Sequence, residues 1–156
     1  MGTPTYTPLA NLTLSTASSS VTFSNISQAY SDIYMDFAIA TSGGSNIMLR
    51  LNGDTSASYL DISWNNSDTN ASRFQLGYND VANVFSAGNV IFMQYTMTDR
   101  YRQIWGKIGQ TQSQSTNMSV FGGTWNNGAA MTSFTFFPEG GQFNSGSVFT
   151  IYGVVR

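Results

Sequence analysis

Between residues 32 and 39 apolar and polar side chains alternate one for one. Ile33, Met35, Phe37 and Ile39 fall on one face, and Asp32, Tyr34, Asp36 and Ala38 on the other. That period of two predicts a half-buried antiparallel strand. Ser42-Gly43-Gly44-Ser45 supplies a turn, and Ile47, Leu49 and Leu51 resume the alternation with Met48 and Arg50 opposite, so the two runs predict a hairpin. The last stretch has another pattern. Val148 adjoins Phe149 and Ile151 adjoins Tyr152, so both faces of residues 148–155 are apolar. Such a run predicts an interior strand, covered on both sides and paired with strands from elsewhere in the chain.

Short apolar runs with the same period recur at residues 9–14, 21–26, 60–64, 74–78, 90–97, 101–108, 118–125 and 131–137. Between them lie breaks: Asn52-Gly53-Asp54, where Gly53 is free to take a positive φ, polar loops at 65–72 and 110–117, Pro138, and Gly140-Gly141. No segment carries the 3.6-residue stripe of a long helix. The pattern predicts an all-β protein, an antiparallel β-sandwich of jelly-roll type with about ten short strands. Ile33, Met35, Phe37, Ile39, Ile47, Leu49, Phe149 and Ile151 are its expected core. Residues 1–8 hold two of the three prolines and three threonines. They read as an extended N-terminal arm ahead of a single domain at 9–156.

Composition narrows the function. Only 9% of the 156 residues are charged and the net charge is −2, so there is no basic field to hold nucleic acid by its phosphates. Ser, Thr, Asn and Gln supply 60 residues and aromatics 14%, a mixture suited to strands and turns. No apolar run approaches the roughly 20 residues of a membrane helix, and the start of the chain lacks a secretory pattern. The five Asn-x-Ser/Thr triplets are expected by chance in a chain this rich in those residues.

With no His and no Cys, the usual general base, thiolate nucleophile and most transition-metal sites are missing. Asp32 and Asp36 share a strand face about 13 Å apart, beyond either glycosidase spacing. They read, with Asp54 and Asp61, as solvated strand and turn carboxylates, and no catalytic residue or cofactor is assigned. Asn65, Asp68 and Asn70 put three oxygen ligands in one loop, but without the acidic density and Gly of an EF-hand loop no metal is assigned. Trp64, Trp105 and Trp125 have the makings of a sugar-stacking platform, although Trp64 continues the apolar face of Leu60 and Ile62. Trp125, followed by Asn126-Asn127-Gly128, is expected to be exposed.

The segment Val21-Thr22-Phe23-Ser24-Asn25-Ile26-Ser27-Gln28-Ala29-Tyr30-Ser31-Asp32-Ile33 resembles one that recurs in tailed-phage structural proteins. Arg50-Leu51-Asn52-Gly53-Asp54, Tyr59 and the closing Gly146-Ser147-Val148-Phe149-Thr150-Ile151-Tyr152-Gly153 fit the same pattern in order and separation, from Leu9 onward. The resemblance implies a virion component without catalytic residues, either a capsid decoration (cement) protein or a module of a fibre. A short arm ahead of the domain fits decoration better than a long fibre. The implied partners are the major capsid protein and further copies of the chain, on the capsid surface. A homotrimer is favoured by analogy with three-fold capsid sites, and a dimer comes second. The competing class is a carbohydrate-binding module that uses the tryptophans. Seven Met and 22 aromatic residues exceed the needs of a small core, so some are expected to face partners. Thr3, Pro4, Tyr6, Pro8, Trp105 and Trp125 are the residues expected to do so.

Overall fold

The computed structural model describes residues 5–63, 66–79, 81–110 and 117–155. Among them lie twelve strands and no helix: β1 (Tyr6–Thr13), β2 (Val21–Phe23), β3 (Asp32–Ile39), β4 (Ser45–Leu51), β5 (Tyr59–Ser63), β6 (Asn66–Ala71), β7 (Phe74–Asn79), β8 (Ser86–Met93), β9 (Arg102–Gln110), β10 (Asn117–Trp125), β11 (Phe134–Pro138) and β12 (Val148–Val154). Eight form one sheet, in the order β1-β12-β3-β8-β9-β10-β5-β6, and four form the other, β2-β11-β4-β7. The chain winds as a jelly roll. In one sheet β1 pairs with β12 and β3 with β8, while in the other β2 pairs with β11 and β4 with β7, all antiparallel.

Alternation explains the core. Ile33, Met35, Phe37, Ile39, Phe149 and Ile151 of the large sheet and Ile47 and Leu49 of the small one are all buried, as the pattern predicts. Phenylalanine rings tie the layers together: Phe92 stacks on Phe134 at 4.7 Å, and Phe136 meets Phe37 at 5.7 Å and Phe149 at 6.1 Å. Such pairs add about 0.5–1.5 kcal/mol each beyond the area they bury. Gly123 makes room for another ring. A Cβ there would lie 2.5 Å from Cε1 of Phe74 and 2.6 Å from the carbonyl oxygen of Leu60. The final strand is interior as expected, with β1 on one side and β3 on the other.

Three expectations are corrected. The runs at 33–39 and 47–51 are not a hairpin: β3 lies in the large sheet and β4 in the small one. The ladder edges of β3 are taken by β12 and β8, and the link through Ser42-Gly43-Gly44 carries the chain across the core instead. Tyr6 to Pro8 are not a free arm but the start of β1, hydrogen-bonded to β12 up to a bulge between Pro8 and Ala10. Pro8 is tolerated because β1 is an edge strand. The polar segment after Trp64 is largely strand, since β6 pairs with β5 despite its poor strand propensity. Trp64, Asn65 and most of the 110–117 loop lie outside the described residues. The break after β4 is as expected, with Asn52 and Gly53 at φ of 49° and 67°.

Candidate functional site

The carboxylates serve the fold. Asp32 and Asp61 are buried rather than solvated, and each accepts a 2.8 Å bond from a backbone N–H, of Gln94 and Gln75 respectively. Asp54 gathers the turn after β4. Its Oδ1 accepts from the backbone N–H and hydroxyl of Ser56, and its Oδ2 from Ser58 at 2.8 Å, the Trp125 indole at 2.7 Å and Asn127 at 3.3 Å. Burial pushes this carboxyl up, but the bonds from Ser56, Trp125 and Ser58 outweigh it and hold it well below the usual carboxylate range. Tyr59 sits beside it, its hydroxyl donating to the carbonyls of Leu51 and Asp54, and burial pushes its phenol up to about 12.

Trp125 is therefore not exposed. It is 1% accessible, locked inside by Asp54 and packed against Tyr59. The Asn-Asn-Gly that follows marks a turn, but the strand's inward face places the ring. Arg102, on the same inward face, is buried with its Nε donating to the carbonyl of Ala129, while neither terminal guanidinium nitrogen has a partner among the described residues. Among the described residues no three His, Cys, Asp or Glu side chains converge. Of the oxygen-rich loop, Asn65 is outside those residues, and Asp68 and Asn70 belong to β6.

The surface with unusual character is the outer face of the large sheet. Strand register lines up Pro8, Tyr152, Tyr34, Ile91, Trp105, Gly122 and Ile62 in one row across seven strands. A parallel row holds Thr150, Asp36, Asn89, Lys107 and Val120, and the next holds Val148, Ala38, Ala87, Gly109 and Met118. Trp105 is 48% exposed, Val120 53%, Ile62 56% and Met118 66%. Single exposed apolar residues are ordinary, but here they are neighbours. Toward β1 the face becomes aromatic: Tyr6 stands edge-on to Tyr34 at 5.8 Å and to Tyr152 at 6.3 Å. Tyr34 donates to Asp36 at 2.9 Å and accepts from Asn89, and burial followed by the Asp36 contact raises its pKa.

Hollows mark this face, a small one of about 290 Å³ at its margin beside Met93, Gln103 and Arg100 and two over its strands. One, of about 660 Å³, lies over Gly122 between Ile62, Val120 and Gln103. Gly122 is not required by local packing, since a Cβ there would meet nothing closer than 3.5 Å. The other, of about 310 Å³, lies over Ala38, Ala87 and Gly88. Among the residues expected to meet partners, Tyr6, Pro8 and Trp105 share this face, Trp125 is inside, and Thr3 and Pro4 lie outside the described residues. Met118, Val120, Tyr34 and Tyr152 were not singled out by sequence; their signal was an apolar or aromatic residue on the second face of a strand whose first face fills the core. Leu60 and Ile62 read as an apolar face for packing, but they are 37% and 56% exposed, and Tyr59 and Asp61 are the residues of β5 that turn inward.

No family model and no curated protein matches the chain. Among solved structures, an exo-inulinase from Aspergillus awamori is similar over 96% of this chain and 29% of its own, at 12% identity and a TM-score of 0.49. A tetrameric galectin from the ball sponge Cinachyrella sp. is similar over 86% of this chain and 99% of its own, at 6% identity and a TM-score of 0.34. With identities this low and TM-scores under 0.5, neither likeness bears on what the chain does.

Proposed function

We propose that this chain is a non-enzymatic structural component of a tailed-phage virion, decorating the capsid surface through protein–protein contact. The observation that carries the reading is the outer face of the eight-stranded sheet. Among the described strand residues of this face the only exposed charges are Asp36 and Lys107, with Arg100 at its margin beside Met93, Gln103 and Thr124, and Trp105, Ile62, Val120 and Met118 lie together in water. An apolar surface with Trp, Tyr and Met and only two charges is the composition of a contact surface. The resemblance of residues 21–33, 50–54 and 146–153 to phage structural proteins supports the virion as the setting.

A second reading, binding of a neutral glycan, is favoured by one feature. Trp105 is exposed beside the hollow over Gly122, with Gln103 and Thr124 at its margin as hydrogen-bonding groups. The test is to look for the protein in purified particles, then to compare wild type with Trp105→Asp and Ile62→Asp for rebinding to particles that lack it. Virion occupancy lost in both variants is the expected result. Absence from particles, with wild-type retention on a polysaccharide column that Trp105→Ala abolishes, overturns it in favour of the glycan.

A further inference from the structure

The outer face is complementary to itself, and we propose that a second copy of this chain covers it, related by a two-fold axis lying in the interface along β8. The inference rests on the reading of this face as a protein contact and makes a second copy, rather than the capsid itself, what covers it, so that the pair is the form that decorates the particle.

Strand order and register carry the argument. The strands on either side of β8 are β3 and β9, and beyond them lie β12 and β10. A two-fold axis along β8 exchanges the two sides, so that β9 of one copy faces β3 of the other and β10 faces β12. Rotation about an in-plane axis also preserves the twist of the sheet, so two twisted faces related this way stay nested across their width.

The register then matches side chains. Lys107 faces the partner copy's Asp36, since both lie in one row with Asn89 between them on the axis. Within one chain these two charges stand on opposite sides of β8, about 10 Å apart, and Lys107 has no partner among the described residues. Tyr152 faces Gly122, in the row through Tyr34, Ile91 and Trp105. The missing side chain at 122, which nothing inside the chain demands, becomes the socket for a tyrosine ring. Met118, the most exposed large apolar residue described, faces Val148 at the hollow over Ala38 and Ala87. Trp105 faces Tyr34. Two projections thus meet two hollows and the exposed charges of the face's strands meet their opposites, twice over, as isologous contact requires.

The size is adequate. Seven strands at about 4.8 Å spacing and about six residues of strand rise give a projected face of roughly 29 by 20 Å, about 580 Å² before side-chain relief. That approaches the roughly 800 Å² per partner of a standard stable interface. The pairing is two-fold, unlike the three-fold assembly that capsid analogy favours.

Sedimentation of the isolated full chain, from micromolar to near-millimolar concentration, tests this with Asp36→Lys, Lys107→Glu and the two combined. Both positions are exposed, so thermal melts at concentrations where wild type sediments as a monomer are expected to match it apart from the small cost of losing the Tyr34–Asp36 bond, which separates lost association from lost folding. Wild type is expected to dimerise. Each single reversal turns two attractive pairs into repulsive ones and should weaken the dimer about tenfold or more, and the double reversal should restore it. A wild-type monomer throughout, a trimer, or a dimer indifferent to the reversals overturns the proposal. A monomer that still binds particles would defeat the dimer alone. A dimer with the expected reversal pattern that is absent from virions would defeat only the virion reading.

Discussion

Replacing Asp54 by Asn tests whether that carboxylate holds the end of the sandwich together. The side chain keeps its shape, but one acceptor oxygen becomes an NH₂ donor. In its better orientation the amide oxygen keeps the three bonds made at Oδ2, from Ser58, Trp125 and Asn127, and turns its NH₂ toward the N–H and hydroxyl of Ser56. In the other orientation it faces the buried indole. The first loses two charge-assisted bonds and weakens three, so destabilisation of about 2–3 kcal/mol is expected. For a chain of this length that is a fall of roughly 5–10 °C in Tm. The pH dependence follows from the depressed pKa. As pH falls below the unfolded value near 3.9, the unfolded chain takes up the proton first, so the contribution of Asp54 is complete above that pH and lost as pH falls toward the folded pKa. The gap between wild type and Asp54→Asn should therefore be widest at neutral pH and narrow in acid. Urea unfolding at a series of pH values measures it. A gap under about 0.5 kcal/mol at pH 7, within the range of an ordinary surface substitution, would refute the reasoning.

Gly123→Ala should cost about 3 kcal/mol or more in urea, because its Cβ would overlap both the Phe74 ring and the carbonyl of Leu60; an unchanged midpoint would contradict the close approach. Tyr59→Phe removes the hydroxyl that joins Leu51 to the Asp54 turn and should lower stability by about 1–3 kcal/mol in the same assay. Arg102→Met exchanges a buried guanidinium with two unpartnered nitrogens for an apolar side chain of similar reach, and its Tm is expected to equal or exceed wild type. A marked loss of stability there would mean that the guanidinium is satisfied in solution.

What the sequence revealed depended on whether pattern alone settles a residue's place. The inward rows did: Ile33 to Ile39 and Phe149 with Ile151 fill the core because a period of two leaves them nowhere else to go. Pairing was not legible for β3 and β4. A four-residue Ser/Gly link serves a hairpin or an arch between sheets equally well, and only the claims of β12 and β8 on the edges of β3 decide. Trp125 was misread because its Asn-Asn-Gly neighbours mark a turn without saying which way the preceding ring points. Asp54 was visible as a turn residue, but its donors come from Ser56, Ser58, Trp125 and Asn127, two of them more than 70 residues away. The candidate face was half legible. Tyr6, Pro8 and Trp105 were named, whereas the row that joins Trp105 to Gly122 and Ile62 exists only once β5, β9 and β10 are in register.

The central claim is that the outer face of the large sheet is covered when the protein is in place. Oxidative footprinting of purified particles, compared with the dilute free chain, tests it most directly. Trp105 and Met118 report on that face, while Tyr78, exposed on the small sheet, serves as the reference. Protection of Trp105 and Met118 in the particle, beyond that of the reference, is the predicted result. Oxidation of both at the free-chain rate in an occupied particle would contradict it.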